Sequence, residues 1–208
     1  MEFKLNDIKP IYLIAITGAS GGVYGLRLIE VLLQQGFSIY LIISKAGQMV
    51  LRSELNLDIP TNPKAAEQWL LNYFQIQDFS KISVFGRQDW FAPFASGSNP
   101  PAAMIVCPCT SGTLAAIANG LSQNLIGRAA DVMIKEHKKL ILVIRETPFS
   151  TIHLKNMLAL TETGVIIMPA NPGFYHQPKS IKDMIDFMIA RILDQLGISH
   201  QLMKPWGE

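Results

Sequence analysis

Thr17-Gly18-Ala19-Ser20-Gly21-Gly22-Val23-Tyr24-Gly25 is the stretch that decides the fold, because it joins the apolar run Tyr12–Thr17 to a helical pattern over Val23–Gln35. Such a junction is typical of the turn between a buried strand and a helix. Its glycines allow a tight turn and a close approach of the backbone to a ligand, and the free N–H groups of the following helix favour an anion. The stretch therefore predicts a ligand-binding turn, with a purely structural connection as the alternative.

Two positions limit the kind of ligand. Ser20 stands where the second glycine of the dinucleotide-binding fingerprint would be. Ser44 and Lys45 follow the second apolar run, in place of an acidic residue that would hold a ribose. A mononucleotide therefore fits this sequence better than NAD.

Short apolar runs alternate with longer helical patterns along the rest of the chain, which indicates a parallel sheet covered by helices on both faces. We predict an α/β fold of three layers with a doubly wound, mostly parallel six-stranded sheet. The predicted strands are Tyr12–Thr17, Ser38–Ser44, Ile82–Phe85, Met104–Cys107, Leu140–Ile144 and Val165–Met168. The predicted helices are Val23–Gln35, Ala46–Glu54, Lys64–Tyr73, Gly112–Ala118, Ile126–His137, Ser150–Thr161 and Ile181–Leu196.

Composition bounds the class of protein. The 208 residues are 49% apolar and suit a single domain, 1–208, with a C-terminal extension over about 197–208. A net charge of +2 gives no basic face for nucleic acid, and no apolar run is long enough to span a membrane. With no signal-peptide core at the N-terminus, we expect a soluble, cytoplasmic protein. Cys107, Cys109 and the four histidines lack metal-ligand spacing, so we predict no metal site.

Three segments that follow predicted strands carry candidate ligand-binding residues. The turn Pro108–Thr113 is rich in hydroxyls and precedes a helix, so it suits a phosphate or a flavin edge, or simply an N-cap by Thr110 or Ser111. The long segments Gly86–Pro101 and Pro169–Pro178 also follow strands. All three lie at the carboxyl edge of the sheet, where open α/β folds bind ligands.

Charged residues near these segments have two interpretations each. Arg145 and Glu146 follow an apolar strand. They are either a phosphate clamp and a proton carrier, respectively, or a salt-bridged pair at the end of the strand. Taken alone, Lys135 is typical of a solvated helix end and Arg191 of a snorkelling side chain. Glu54 opposes the dipole at the end of its helix. In the segment after the last strand, Tyr175 is expected to meet solvent or ligand, and His176 is either a general base or a hydrogen-bonded loop residue.

Six motifs in one order, over nearly the whole chain, resemble the UbiX-type flavin prenyltransferases. They are TGASGGVYGLRL (17–28), DWFAPFASGS (89–98), PCTSGTLAAIANG (108–120), NLIGRAADVMIKE (124–136), RETPFSTIHLKNMLAL (145–160) and PANPGFYHQPKSI (169–181). The resemblance implies a Rossmann-like fold of the flavoprotein type and a homododecamer with the site at subunit contacts. It implies transfer of a dimethylallyl group from dimethylallyl phosphate to N5 and C6 of reduced FMN, without metal. The prenylated FMN would serve a partner decarboxylase, in ubiquinone synthesis or another pathway.

The same resemblance implies a role for each matching residue. FMN would be held by Gly18, Ala19, Ser20, Ser44, Thr110, Ser111, Gly112, Thr113 and Arg145. The prenyl donor would be bound by Lys135, Arg145, Tyr175 and Arg191, with Trp206 helping to close the site. Ser20 would lie near N5, Glu54 and Glu146 would move protons, Lys135 would stabilise the departing phosphate, and Trp90 would form an apolar wall.

Two other functions are open at this stage. One is an FMN-dependent decarboxylase of aromatic acids or of peptidyl cysteine. Resemblance to the cysteine decarboxylases would imply a histidine after the first glycine-rich turn, and Val23-Tyr24-Gly25 contains none. The other is a flavin carrier without catalysis, which would need the two turns but no cluster of cations.

Overall fold

Six strands form a single, wholly parallel sheet in the computed structural model, which describes residues 9–204 and 207. The strand order is β3-β2-β1-β4-β5-β6. Strands β1 and β4 are therefore neighbours from which the chain winds in opposite directions, which creates a switch point between them. The strands are β1 (Ile11–Ile16), β2 (Ser38–Ile43), β3 (Ile82–Val84), β4 (Ala103–Cys109), β5 (Lys139–Ile144) and β6 (Ile166–Pro169).

Helices cover both faces of the sheet, since the strand residues alternate between two apolar clusters. One cluster joins Ile14 and its neighbours to α1, α3 and α7, and the other joins Leu13 and its neighbours to α4, α5 and α6. The helices are α1 (Gly22–Gln34), α2 (Lys45–Leu55), α3 (Pro63–Tyr73), α4 (Ser111–Ala118), α5 (Leu125–Lys135), α6 (Thr151–Glu162) and α7 (Ile181–Leu196). The predicted three-layer, doubly wound fold is confirmed.

The ends of the elements follow from local chemistry. Ser150 and Ser180 each cap a helix, and both form reciprocal capping boxes with the third helical residue. Helix α5 ends two residues before the predicted position, because His137 takes the left-handed conformation (φ 51°). Strand β4 runs two residues past the predicted end, because the pairing of β4 with β5 shifts register between Val106 and Cys109 and so accommodates a proline that cannot donate to the ladder.

One element was not predicted. A short 3-10 helix, Pro93–Ala95, lies in the segment between β3 and β4. It is anchored by Phe94, which is fully buried and packs against Tyr40 and Phe85. The anchor pins the long loop to the sheet and leaves the preceding Trp90 and Phe91 at the surface.

Two properties of the described residues concern membranes and metal ions. In the part of the chain that the structure covers, no helix combines the length and apolarity that crossing a membrane requires. The same residues contain no cluster of three or more His, Cys, Asp or Glu side chains suited to a metal ion.

Candidate active site

Thr17 links the turn after β1 to the turn after β4. Its hydroxyl donates to the Pro108 carbonyl at 2.7 Å and accepts from the Thr110 N–H at 2.9 Å. The Thr17 N–H also donates to Pro108 O at 3.2 Å, and the side chain is only 2% exposed. A buried hydroxyl with both of its roles satisfied holds two backbone segments in a set relation. The glycine-rich and hydroxyl-rich turns are therefore one unit at the switch point.

Beside this unit lies a cavity of about 240 Å³ at the start of α4. Thr110 caps α4 by accepting from Thr113 N at 3.0 Å, and its hydroxyl donates to Thr113 Oγ1 at 2.8 Å. Ser44, which caps α2 by accepting from Gly47 N at 2.9 Å, reaches the same cavity. Hydroxyls and helix N-termini that converge in this way suit a phosphate or the polar part of a nucleotide.

The glycine-rich turn is packed closely against α2. A Cβ at Gly18 would lie 2.4 Å from the Cβ of Ala46, so only glycine fits there without displacement of α2. Ala19 is buried and Ser20 is exposed at the edge. The turn therefore leaves Ser20 exposed at the carboxyl edge of the sheet.

Glu54 occupies the anion-binding end of α1. Its carboxylate accepts from the N–H of Gly21 at 2.9 Å and from that of Gly22 at 3.2 Å. The sequence predicted that these N–H groups would be free for a ligand anion, and the structure assigns two of them to a side chain of the protein instead. Helix α2 brings Glu54 there, because its N-terminus is pinned at the end of β2 and it packs against α1.

The environment of Glu54 keeps it ionised. Desolvation raises the pKa of this carboxyl, but hydrogen bonds from the Ser20 hydroxyl and from the Gly21 and Gly22 N–H groups, together with the charge of Arg145, outweigh it and lower the pKa below its usual value of 4.5. The Ser20 hydroxyl and the Arg145 guanidinium both act on the Glu54 carboxylate. These three residues, which were predicted separately, form one cluster at the carboxyl edge.

Arg145 and Glu146 continue β5 into the same edge. The Arg145 N–H donates to Cys109 O at 3.4 Å, which ties the end of β5 to that of β4. Its side-chain Nε is buried and has no hydrogen-bond partner among the described residues. The Glu146 carboxylate accepts from the Thr147 N–H at 3.1 Å and is half-buried. A buried guanidinium N–H without a protein acceptor suits a bound anion or carbonyl group.

A second surface is formed by α5 and the loop before β4; Lys135 is the last residue of α5, and Trp90 lies in that loop. Trp90 is 45% exposed. Lys135 forms an ion pair with Glu136, and both side chains lie against Gly97 of the loop. The loop is held to α5 by Arg128, whose Nε donates to Ala95 O at 2.9 Å.

Tyr175 and Arg191 form a third group around α7. The ring of Tyr175 packs edge-on against Phe187, with centroids 5.7 Å apart, and His176 stacks on the same ring at 5.2 Å. Neither His176 ring nitrogen has a hydrogen-bond partner among the described residues, so packing rather than hydrogen bonding holds this histidine. Arg191 lies one turn after Phe187 and pairs with Asp194 at 2.5 Å.

One chain does not bring the four predicted donor-binding residues together. Lys135 ends α5 just before β5 begins, whereas Arg145 follows the end of β5, so the six-residue strand, roughly 20 Å long, separates them. Arg191 lies on α7, on the other face of the sheet from α5. Their convergence requires residues from more than one copy of the chain. Trp206 lies outside the described residues.

Three polar residues that line the cavity were not predicted: Thr17 as the link between the turns, Arg87 and Asn124. Arg87 follows β3 by three residues, and Asn124 caps α5 by accepting from the N–H groups of Ile126 and Gly127. The signal for Arg87 was its position after a strand. No local signal marks Thr17, whose partners are 91 and 93 residues away.

Cys107 and Cys109 are fully buried free thiols. Desolvation raises the pKa of both thiols far above their usual range. They therefore remain protonated and serve as packing residues at the end of β4.

A parallel doubly wound sheet with paired polar turns at its switch point is the arrangement of a mononucleotide-binding protein. A family model described as Flavoprotein matches residues 3–193. Proteins named flavin prenyltransferase UbiX are similar over almost the whole chain. That of Pseudomonas aeruginosa is 51% identical and covers 94% of this chain and 93% of its own length. The protein of Methanocaldococcus jannaschii is 44% identical and covers 94% of this chain and 97% of its own length. The chain therefore belongs to the Flavoprotein family and, within it, to the UbiX flavin prenyltransferases.

Solved structures agree with this assignment. AnUbiX (PadA1), crystallised in complex with FMN and dimethylallyl pyrophosphate, has a TM-score of 0.84 at 34% identity and covers 96% of this chain and 98% of its own. A dodecameric FMN-dependent UbiX-like decarboxylase from Escherichia coli O157:H7 has a TM-score of 0.83 at 34% identity and covers 95% of this chain and 100% of its own. Peptidyl-cysteine decarboxylase EpiD, with a TM-score of 0.56 at 16% identity, shares the fold alone.

Proposed function

We propose that this chain is a flavin prenyltransferase that moves a dimethylallyl group from dimethylallyl phosphate to N5 and C6 of reduced FMN. The observation that carries the proposal is the 51% identity, over almost the full length of both chains, to a protein named for this activity. The structure supports it with two linked polar turns for a flavin nucleotide and with a buried, unpartnered Arg145 Nε beside them. The product, prenylated FMN, would serve a partner decarboxylase.

The residues at the switch point fit FMN. The backbone of Gly18 and Ala19 and the hydroxyl of Ser20 would lie along the flavin, while Ser44 and the turn Thr110–Thr113 would hold the polar end of the nucleotide. Reduced FMN supplies two nucleophilic atoms, N5 and C6. The role of the chain is to orient them, to exclude water and to place proton carriers beside them.

The departing phosphate needs positive charge, and fixed cations can supply it where no metal ion does. We assign this role to Lys135, Arg145 and Arg191, with Tyr175 as a further donor to the phosphate. Arg145 is best placed, because its Nε is buried at the same edge as the glycine-rich turn. Lys135 and Arg191 would come from other copies, which agrees with a site at subunit contacts.

Exposed apolar surface supports an assembly of copies. Helix α6 carries Ile152, Leu154 and Leu158, which are 69%, 53% and 61% exposed, on faces that point away from the core. A helix with apolar residues all round is normally covered. Together with the dodecameric relative, this supports a homo-oligomer and a dodecamer in particular. We also propose that the extension over 197–208 packs at such a contact or over the site, and that the protein works in the cytoplasm.

Proton transfer falls to the carboxylates and to Ser20. Glu54 is held ionised within hydrogen-bonding reach of the Ser20 hydroxyl, so it is suited to accept a proton passed through that hydroxyl. Glu146, at the end of β5, is the candidate for the second proton. Trp90 would shield the prenyl group from water with its aromatic face.

Mass spectrometry of the flavin tests the proposal. The full chain is incubated anaerobically with reduced FMN and either dimethylallyl phosphate or the diphosphate, and we expect a new flavin mass that corresponds to the added prenyl group. A flavin carrier would bind FMN and leave its mass unchanged. A decarboxylase is the second candidate, favoured by the name of the Escherichia coli relative. It would release carbon dioxide from an aromatic acid without any prenyl donor.

A further inference from the structure

Two helix N-termini at the carboxyl edge offer N–H groups to the phosphate of FMN. At the start of α1, the N–H groups of Gly21 and Gly22 already donate to the Glu54 carboxylate. A phosphate there would have to displace a carboxylate whose lowered pKa keeps it charged, and like charges at such distances repel. The start of α1 is therefore unsuitable for the phosphate, and the start of α4 is the alternative.

The cavity at the start of α4 has the chemistry of a phosphate-monoester site. Its polar lining consists of neutral groups, chiefly the hydroxyls of Ser44, Thr110 and Thr113, and among the described residues that line it Arg87 alone carries a charge. Its volume of about 240 Å³ is below the roughly 300–1,000 Å³ of sites that enclose whole ligands, so it suits one end of FMN.

Arg87 is held in place by its backbone and leaves its side chain available. Its carbonyl accepts from the Leu125 N–H at 2.8 Å, which fixes the residue beside the start of α5. Within residues 9–204 and 207, the guanidinium has no ion pair and no side-chain hydrogen bond. Arg87 is exposed and contributes to the lining of this hydroxyl-rich cavity, and its planar guanidinium matches the geometry of two phosphate oxygens.

We propose that Arg87 binds the phosphate monoester of FMN and makes this chain discriminate FMN from riboflavin. The inference rests on the proposed binding of FMN but not on prenyl transfer. It adds Arg87 to the predicted flavin-binding residues as a determinant of specificity; the sequence indicated its segment, Gly86–Pro101, but not this residue.

The test is a two-by-two comparison of dissociation constants, measured by quenching of flavin fluorescence on the full chain. The ligands are oxidised FMN and riboflavin, and the proteins are the natural chain and Arg87→Gln. We expect Arg87→Gln to weaken FMN binding roughly tenfold and to leave riboflavin binding within about twofold. Arg87→Lys should recover part of the lost FMN affinity, because lysine keeps the positive charge but cannot bind two phosphate oxygens with a planar guanidinium. Added salt should reduce the preference of the natural chain for FMN.

Arg52→Gln is the matched control, since Arg52 is an exposed arginine on α2 that faces Asp58 rather than the cavity. It should change neither constant. Equal weakening of both flavins by Arg87→Gln, or unchanged FMN binding, would overturn the proposal. The outcome is independent of the prenyl donor: a prenylated product with no Arg87-dependent preference refutes this inference alone, whereas an Arg87-dependent preference with no product refutes the prenyltransferase.

Discussion

Replacing Thr17 by Val should separate the two turns that form the candidate flavin site. The change leaves the Thr110 N–H without its acceptor and removes the hydroxyl donation to Pro108 O, which keeps only the longer bond from the Thr17 N–H. One orphaned buried donor costs about 1–3 kcal/mol, and the lost hydrogen bond adds about 1 kcal/mol. We expect the variant to be less stable by about 2–4 kcal/mol, and the melting temperature to fall by about 4–16 °C.

Thr17→Ser keeps the hydroxyl and loses only a buried methyl, so it should cost about 1 kcal/mol. Thr161→Val is a matched control, because it removes a hydroxyl that donates to Leu158 O at the exposed surface of α6. Stability is measured by urea unfolding at one protein concentration, since assembly makes stability depend on concentration. FMN affinity is measured alongside and should fall only in Thr17→Val. If Thr17→Val matches Thr17→Ser in both stability and FMN affinity, the two turns do not depend on this hydroxyl.

Four other predictions follow from the site and the surface. Arg191→Ala should abolish prenyl transfer and leave FMN bound, as measured by flavin mass and by fluorescence; undiminished turnover would contradict its assignment to the prenyl donor. The natural chain should lose stability relative to Glu54→Gln as the pH falls below about 4.5. Folding lowers the pKa of the Glu54 carboxyl, so the ionised group stabilises the fold above its unfolded pKa, and this contribution is lost as the group becomes protonated. Parallel unfolding curves of the two proteins across this pH range would refute the prediction. Leu158→Glu should reduce the assembly mass seen by light scattering, because a charge cannot be buried at an apolar contact without cost, and an unchanged mass would place the contact elsewhere. Gly18→Ala should weaken FMN binding and cost about 1–3 kcal/mol, since its Cβ would lie 2.4 Å from that of Ala46; full stability and affinity would show that α2 can move away.

The order of the elements and the class of sheet could be predicted from the sequence. Strands buried on both faces have uninterrupted apolar runs, as in Ile11–Ile16, and helices begin at residues with capping chemistry, such as Ser150 and Ser180. Both signals are local, because neighbouring residues determine them. The 3-10 helix was missed, because it depends on Phe94 meeting Tyr40 and Phe85 across the sheet.

The candidate site shows the same division. The sequence predicted Ser20, Glu54 and Arg145 as separate candidates, each from its place at the end of an element or from family resemblance. Their meeting was not predictable from spacing, since the Glu54 carboxylate and the Gly21 N–H that it accepts from are 33 residues apart. Because Glu54 occupies the start of α1, that helix end is not available to a ligand anion. Arg87 is the cation that lines the cavity at the start of α4.

The sequence alone determined which segments are strands and helices, and which polar residues follow the strands at the carboxyl edge. Only the tertiary structure decided which of these residues touch. Thr17 joins turns 91 residues apart, and Lys135 and Arg145 end on opposite edges of the sheet although only ten positions separate them. The physical reason is that periodicity and capping act over a few residues, whereas the partner of a buried polar group is set by how helices and strands pack across the sheet.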